Sequence, residues 1–358
     1  MLFFFYRTVF QGKVRIRNQE RSEHTMHMAD ALVTPATAGV MAAASGAAAA
    51  YSIYKVRQEN APEKIPVMGV MGAFVFATQM INFTIPGTGS SGHLCGGILL
   101  SAILGPYAGF LTMIGVLLVQ CLFFADGGLL ALGCNIWNMA FYGCFVGALL
   151  IWKNIMKNGA SKKKIILASI LGSVVTLQMG AFSVCVETFV SGISSLPFGA
   201  FVITMLPIHL AIGLVEGLIT AAVLCFIHEA RPELLWGIGS PEIKESRLSF
   251  GKTVGILALA AAAIGGILSL AASSLPDGLE WSMEKVAGTA ELPASGGVFD
   301  TAQSIQNTTS ILPDYALPGS ESMAGTTVSG LVGILITAIV LIGIAVLFRF
   351  FSHRKKRG

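Results

Sequence analysis

Met26 and His27 stand just before the first long apolar stretch of the chain, and they could begin a natural protein. If translation starts at Met26, a free amine lies beside a histidine. That amine, the deprotonated backbone amide of His27 and the His27 imidazole Nδ1 would close a five-membered and a six-membered ring around one metal ion. His93 could supply a fourth nitrogen. These residues therefore predict a metal-binding site.

The donor atoms of this predicted site favour particular metals. Four nitrogens in a plane suit Ni(II) or Cu(II) and can hold Co(II), whereas zinc prefers a tetrahedron and magnesium or calcium prefers oxygen. Because the amide must lose its proton, binding should depend on pH. The donor geometry alone leaves Ni(II), Cu(II) and Co(II) open.

Four polar side chains in apolar surroundings are candidates for orienting the ligands. They are Gln79, Asn82, Asn135 and Asn138. Such residues commonly join helices through hydrogen bonds. Asn82 and Asn135 should lie level with His93, so a hydrogen bond that positions a ligand is the alternative role.

The composition is that of a membrane protein. Of 358 residues, 54% are hydrophobic and 12% are charged, and the mean hydropathy is +0.74. Most of the apolar stretches reach the roughly 20 residues that a helix needs to cross a bilayer. They lie at 36–54, 65–85, 93–104, 106–124, 128–152, 165–191, 198–228, 253–272 and 328–348. We predict an all-α polytopic membrane protein with a seven-segment helical bundle and a C-terminal two-helix hairpin.

Lys and Arg predict the orientation, because cytoplasmic loops carry the excess of these residues. Basic residues concentrate at 55–64, 153–164, 229–252 and 349–358, so the C-terminus should be cytoplasmic and the mature N-terminus outside. The segment 93–124 must then enter and leave on the same side. Its first arm, 93–104, is either a re-entrant half-helix or a span extended by its polar flank. A pocket near 87–95 follows.

Residues 1–25 break this charge rule, because they carry five basic side chains on the predicted outer side. We interpret 1–25 as a misassigned start or a leader that the mature protein lacks. The remaining divisions are a membrane domain at 26–228, a cytoplasmic linker at 229–252 and an appended block at 253–358. The outer loop of that block, 273–327, is rich in Ser, Gly, Thr and Pro, so we expect a poor core former that is mobile.

Two motifs resemble nucleotide sites but lack the required context. Residues 87–92 match G-x-G-x-x-G without a preceding strand or a βαβ unit, and 246–253 end like a phosphate loop but lack its first glycine. No nucleotide should bind this chain, so any ATPase is a separate protein. The six cysteines lie in or beside apolar stretches and show no disulfide or zinc pattern.

Three ionisable residues within the spans support a rival interpretation. His209 and Glu216 lie two helical turns apart on one face, and Glu187 lies in another span. Such groups are costly in a membrane and often mark a site. The rival is a proton-coupled secondary transporter that uses these residues. The simpler alternative is that each satisfies a structural hydrogen bond.

Several short segments carry a family resemblance. They are 26–28, 79–83, 91–97, 104–106, 123–128 and 135–139. In them the chain resembles the CbiM/NikM family, the substrate-specific membrane component of cobalt and nickel energy-coupling-factor transporters. Residues 276–282, Pro-Asp-Gly-Leu-Glu-Trp-Ser, are similar to the signature of a PDGLE-type (NikN-like) accessory domain.

The resemblance implies a transporter subunit that catalyses no covalent chemistry and captures the metal outside through Met26, His27 and His93. It also implies a transmembrane coupling subunit and cytoplasmic ATPase subunits as partners, in a bacterial or archaeal cell membrane. The imported ion would supply cobalamin synthesis or a nickel enzyme. A vitamin binder of the same transporter group is a further alternative, for which an aromatic-lined pocket is expected.

Overall fold

The computed structural model describes residues 27–239, 246–317 and 323–354, so the predicted extension and Met26 lie outside the described residues. Within them the chain is mostly helical, and seven helices are long and apolar enough to cross a membrane. The helices in chain order are α1 Pro35–Glu59, α2 Lys64–Gln79, α3 Gly97–Leu104, α4 Pro106–Phe123, α5 Leu132–Met156, α6 Lys162–Val190, α7 Phe198–Ala230, α8 Phe250–Gly266, α9 Gly278–Ala287, α10 Gly297–Thr309 and α11 Met323–Arg354.

The helix boundaries follow local sequence signals. Helix α1 begins after Thr34, whose side chain accepts from the Thr37 amide, and Pro35 occupies its first turn, where a missing N–H costs nothing. It ends at Asn60, which adopts the left-handed conformation (φ 46°). Serines 161 and 249 cap α6 and α8 in the same way.

Helices α1 to α7 form the predicted seven-segment bundle, and two of the seven segments are short. Helix α2 has 16 residues and α3 has only eight. At 1.5 Å per residue α3 is about 12 Å long, far less than the roughly 30 Å of a bilayer core. The half-helix alternative for 93–104 is therefore the one observed.

A small β-hairpin joins α2 to α3, and the sequence did not predict it. Strands β1 (Phe83–Ile85) and β2 (Ser90–Gly92) pair antiparallel, with Thr84 opposite Ser91. Gly87 and Gly89 adopt positive φ in the turn between them. The apolar stretch 65–85 was expected to be continuous, but its helix ends at Gln79. The hairpin places His93 directly after β2.

The loops gather at two opposite ends of the bundle, as the charge pattern predicted. At one end, which we call the histidine end, Gly128 N donates to Met28 O (3.0 Å) and Thr34 N donates to Ser191 Oγ (3.1 Å). At the other, the basic end, Lys64 Nζ donates to Leu104 O (3.1 Å) and Trp236 N donates to Ala102 O (2.8 Å). Which end faces outside remains a prediction.

The C-terminal block, residues 250–354, is not merely appended. Helices α8 and α11 pack as a hairpin against α2, and Leu341 of α11 is buried there. The expectation that 273–327 would be a poor core former was wrong. This stretch contains α9 and α10, and Leu279 and Tyr315 are buried against the bundle. Its few large apolar residues suffice because the histidine end supplies the opposing surface.

Candidate metal centre

The N-terminal segment is held in the histidine end by backbone hydrogen bonds. Met28 N donates to Asn135 Oδ1 (3.0 Å), and Asn135 Nδ2 donates back to Met28 O (3.1 Å). Ala131 N donates to Asp30 Oδ1 (2.9 Å). Asn135 lies near the start of α5, so one amide side chain fixes both polar groups of the residue after His27.

His27 is buried, with 4% of its surface exposed. Its Nδ1 lies 3.0 Å from Oδ1 of Asp126, and Tyr315 Oη donates to Oδ2 of the same carboxylate (2.6 Å). Burial alone would raise the pKa of Asp126, but the charge and hydrogen bond of His27 and the hydrogen bond of Tyr315 hold this pKa below its usual range. The low pKa favours the charged carboxylate of Asp126, which can accept a hydrogen bond from the His27 ring.

His93 lies beside His27, with ring centroids 5.4 Å apart and planes nearly perpendicular. Its Nδ1 lies 3.1 Å from Leu94 O, which favours the tautomer with a proton on Nδ1 and a lone pair on Nε2. That Nε2 is 3.8 Å from Oδ2 of Asp277 in the C-terminal block. The structure therefore brings together the two predicted histidines, which are far apart in sequence.

A cavity of about 80 Å³ lies at these two rings, large enough for several water molecules or a metal ion. Its wall comes from the N-terminal segment, β2, α5, α6, α7 and α9. The lining residues include Met28, Asn135, Asn138, Met205 and His209. The position agrees with the pocket that was predicted near 87–95.

Side chains alone do not complete a metal site here. Among residues 27–239, 246–317 and 323–354, no three His, Cys, Asp or Glu side chains are grouped closely enough to hold an ion. Further donors would have to be backbone or terminal nitrogens. The predicted chelate also needs Nδ1 of His27, which in this structure faces Asp126. Nε2 of His27 is buried and has no hydrogen-bond partner in the described part of the chain.

The four predicted polar residues separate into different roles. Asn135 binds the N-terminal segment directly, as above. Gln79 Nε2 donates to the carbonyl of Cys95 (2.7 Å), two residues beyond His93. Asn138 Nδ2 donates to Glu187 Oε2 (2.8 Å) and lines the cavity. Asn82 does not line the cavity.

The three ionisable residues of the rival interpretation each make a structural hydrogen bond. Glu187 accepts a hydrogen bond from Asn138, a partner that could not be identified from the sequence. His209 Nδ1 lies 2.7 Å from Met205 O in its own helix. Glu216 accepts from the backbone amides of Cys95 (2.8 Å) and Gly96 (3.1 Å), so it holds the start of α3. These contacts agree with the simpler alternative.

Three residues near the histidines were not predicted as site residues. Asp126 and Asp277 lie in the segments 123–128 and 276–282 that carry the family resemblance, and the sequence pattern does not mark Tyr315. Burial and the neighbouring Glu280 raise the pKa of Asp277 well above its usual range. The available signal was an Asp-Gly pair at 126–127 and at 277–278, in loops expected on the same side as His93.

The comparisons with known proteins agree with this architecture. Residues 27–234 match the model of the CbiM family, described as the cobalt uptake substrate-specific transmembrane region. The chain belongs to this family. Residues 251–350 match the PDGLE domain, so the CbiM region is followed by a PDGLE region in one polypeptide.

Relatives with the same fused organisation extend over most of the chain. A protein of Archaeoglobus fulgidus, provisionally named a fused nickel transport protein (NikMN), is 35% identical over 88% of this chain and 96% of its own length. The fused nickel transport protein NikMN of Rhodobacter capsulatus is 30% identical over 89% and 96%. A truncated transition metal transporter of known crystal structure aligns with a TM-score of 0.51 and 30% identity, covering 57% of this chain and 99% of its own.

As a CbiM-family member, the chain is a substrate-specific membrane component of cobalt/nickel transport, and its fused relatives are named as transport proteins. The region matched by the crystal structure covers little more than half of the chain. The fused relatives extend the similarity through the PDGLE region, which contributes Asp277 to the neighbourhood of His93.

Proposed function

We propose that this chain is the metal-capturing subunit of an ATP-driven cobalt or nickel importer of the energy-coupling-factor type. The ion binds in the cavity between His27 and His93, at the outer face of the membrane. The observation that carries the proposal is the pair of imidazoles 5.4 Å apart at one cavity, one of them in the N-terminal segment. Imidazole nitrogen suits both metals.

The proposed ligands are the amine of Met26, the amide and Nδ1 of His27, and the Nε2 of His93. Chelation through Nδ1 requires the His27 ring to turn away from Asp126 and breaks their 3.0 Å pair. In that case Asp126 contacts the ring only in the metal-free site. Its other oxygen accepts a hydrogen bond from Tyr315. If the ion instead binds Nε2 of His27, Asp126 stays in contact and orients the ligand.

The proposed partners are those that the family resemblance implies. ATP hydrolysis belongs to cytoplasmic ATPase subunits that act through a transmembrane coupling subunit, which agrees with the sequence's lack of a phosphate loop. In the proposed cycle the N-terminal segment closes over the ion, and reorientation of the subunit releases the ion inside. The basic end of the bundle faces the cytoplasm, in agreement with its excess of Lys and Arg.

The binding site can be tested by titrating the purified protein with Ni(II) and Co(II). His27→Ala and His93→Ala should each weaken binding at least tenfold, because each removes a nitrogen ligand. His228→Ala is the matched control, since this buried histidine lies in α7 toward the basic end. A His27 or His93 variant that binds these metals as tightly as the parent would contradict the site assignment.

The energy source needs a separate test in proteoliposomes. Uptake should require the coupling subunit, the ATPases and ATP, and a proton gradient alone should not drive it. Uptake by this chain alone that follows a proton gradient would favour the rival transporter with Glu187, His209 and Glu216.

The start of the mature protein decides whether the amine exists. We expect the intact mass of the purified native protein to correspond to a chain that begins at Met26. A mass that includes residues 1–25 would contradict the three-nitrogen chelate, because Met26 would then contribute an amide in mid-chain.

A further inference from the structure

The motif Pro-Asp-Gly-Leu-Glu, residues 276–280, docks on the hairpin that leads to His93. Ser91 N donates to Pro276 O (2.8 Å), and Ser91 Oγ donates to Leu275 O (2.7 Å). From the other side, Trp281 Nε1 donates to Thr88 O (3.1 Å). Three hydrogen bonds thus hold the C-terminal block to the hairpin that positions a proposed metal ligand.

Gly278 eases this approach, because a Cβ at this position would force side chains of α7 to shift. A Cβ at this position would lie 2.9 Å from Ile212 Cδ1 and 3.0 Å from His209 Cε1. Gly278 and Leu279 also line the cavity at His27 and His93. The motif therefore forms one wall of the cavity instead of lying over it.

The two carboxylate oxygens of Asp277 have different tasks. Oδ1 accepts from the amides of Leu279 and Glu280 (both 2.8 Å) and so caps α9. Oδ2 points to the other side, 3.8 Å from Nε2 of His93. That separation is too long for a direct hydrogen bond, and it leaves the carboxylate close enough to compensate the charge of an ion bound at His93 Nε2.

Charge and burial make a cation beside this carboxylate favourable. Asp277 is 3% exposed and Glu280, the partner in its capping box, is 6% exposed. Burying two carboxyl groups side by side is unfavourable unless positive charge compensates. On the cavity side, Asp277 Oδ2 faces His93, one of the proposed metal ligands.

We infer that Asp277 is the counter-charge of the bound ion, supplied to the metal site by the C-terminal block. Asp277 acts as a positioning residue on the ion at His93 and not as one of the four nitrogen donors. The metal site is therefore shared between the CbiM region and the PDGLE region. This inference rests on the proposed function, because it presupposes an ion at His93.

The test is a titration of the full chain with Ni(II) alone, comparing Asp277→Asn with Glu280→Gln. Both variants replace one buried carboxylate by its amide within the same cap, and both amides are accepted cap residues. Asp277→Asn should weaken Ni(II) binding about 10- to 100-fold, the range found for residues beyond the direct ligands. Glu280→Gln should stay within about threefold, because Glu280 does not line the cavity.

The visible absorption of bound Ni(II) distinguishes a counter-charge from a structural role or a direct ligand. At saturating metal the absorption bands of Asp277→Asn should match those of the parent, since the nitrogen donors are unchanged. Equal affinities in Asp277→Asn and the parent would overturn the inference, and so would shifted bands. If His93→Ala also leaves affinity unchanged, the proposed function fails; if only Asp277→Asn does, the proposed function stands and this inference alone fails.

Discussion

Asn135 offers the sharpest test of how the N-terminal segment is held. Its side chain makes two hydrogen bonds to Met28, at 3.0 and 3.1 Å, and both are buried. Each such bond contributes about 0.5–1.5 kcal/mol net, so Asn135→Ala should remove about 1–3 kcal/mol of ordering energy. If the segment must be ordered to bind the ion, this loss raises the metal dissociation constant about 5- to 150-fold.

The assay is Ni(II) titration of the purified protein, with thermal unfolding of the metal-free protein measured beside it. Asn135→Asp should also bind Ni(II) more weakly than the parent, because a carboxylate accepts from Met28 N but cannot donate to Met28 O. Asn154→Ala is the matched control, since Asn154 lies on the same helix but is exposed and does not line the cavity. An Asn135→Ala protein that is folded and binds Ni(II) as tightly as the parent would refute the reasoning.

Three further predictions concern neighbouring residues and pH. Asp126→Asn should bind Ni(II) within about threefold of the parent, because Nδ1 chelation breaks the His27–Asp126 pair; a loss of tenfold or more would favour Nε2 ligation. Glu216→Gln should lower the free energy of unfolding by about 1–3 kcal/mol, because an amide cannot accept from both Cys95 N and Gly96 N as the carboxylate does; unchanged thermal unfolding would contradict this. Ni(II) affinity should fall from about pH 8 to about pH 6, because protons compete for the imidazoles and the amide; titrations that show equal affinity and no proton release would exclude the amide.

The large-scale arrangement could be predicted because membrane proteins obey strong constraints. Helix lengths follow the bilayer thickness, and basic loops mark alternate ends, so His27 and His93 could be placed at the same end before any coordinates. The requirement that 93–124 return to its starting side left a half-helix or an extended span for 93–104, and the eight-residue α3 is the half-helix. These features could be predicted because each depends on a local property of the sequence, either the length of an apolar segment or the position of Lys and Arg.

The unpredicted parts of the site depend on contacts between distant segments. Tyr315 meets Asp126, and Asp277 meets His93, across 189 and 184 positions of the chain (315 − 126 and 277 − 93). The periodicity of a sequence does not reveal contacts between residues so far apart in the chain. The loop 273–327 was misjudged because composition measures whether a segment can form its own core, whereas α9 and α10 pack on a surface that the bundle provides.

The most direct test of the central claim is X-ray absorption at the nickel edge, which counts the imidazoles bound to the metal. The Ni(II)-loaded parent should show two histidine imidazoles, because His27 and His93 share one cavity. At saturating metal, His27→Ala and His93→Ala should each show one. Two imidazoles in either variant, or none in the parent, would contradict an ion held between the N-terminal segment and His93.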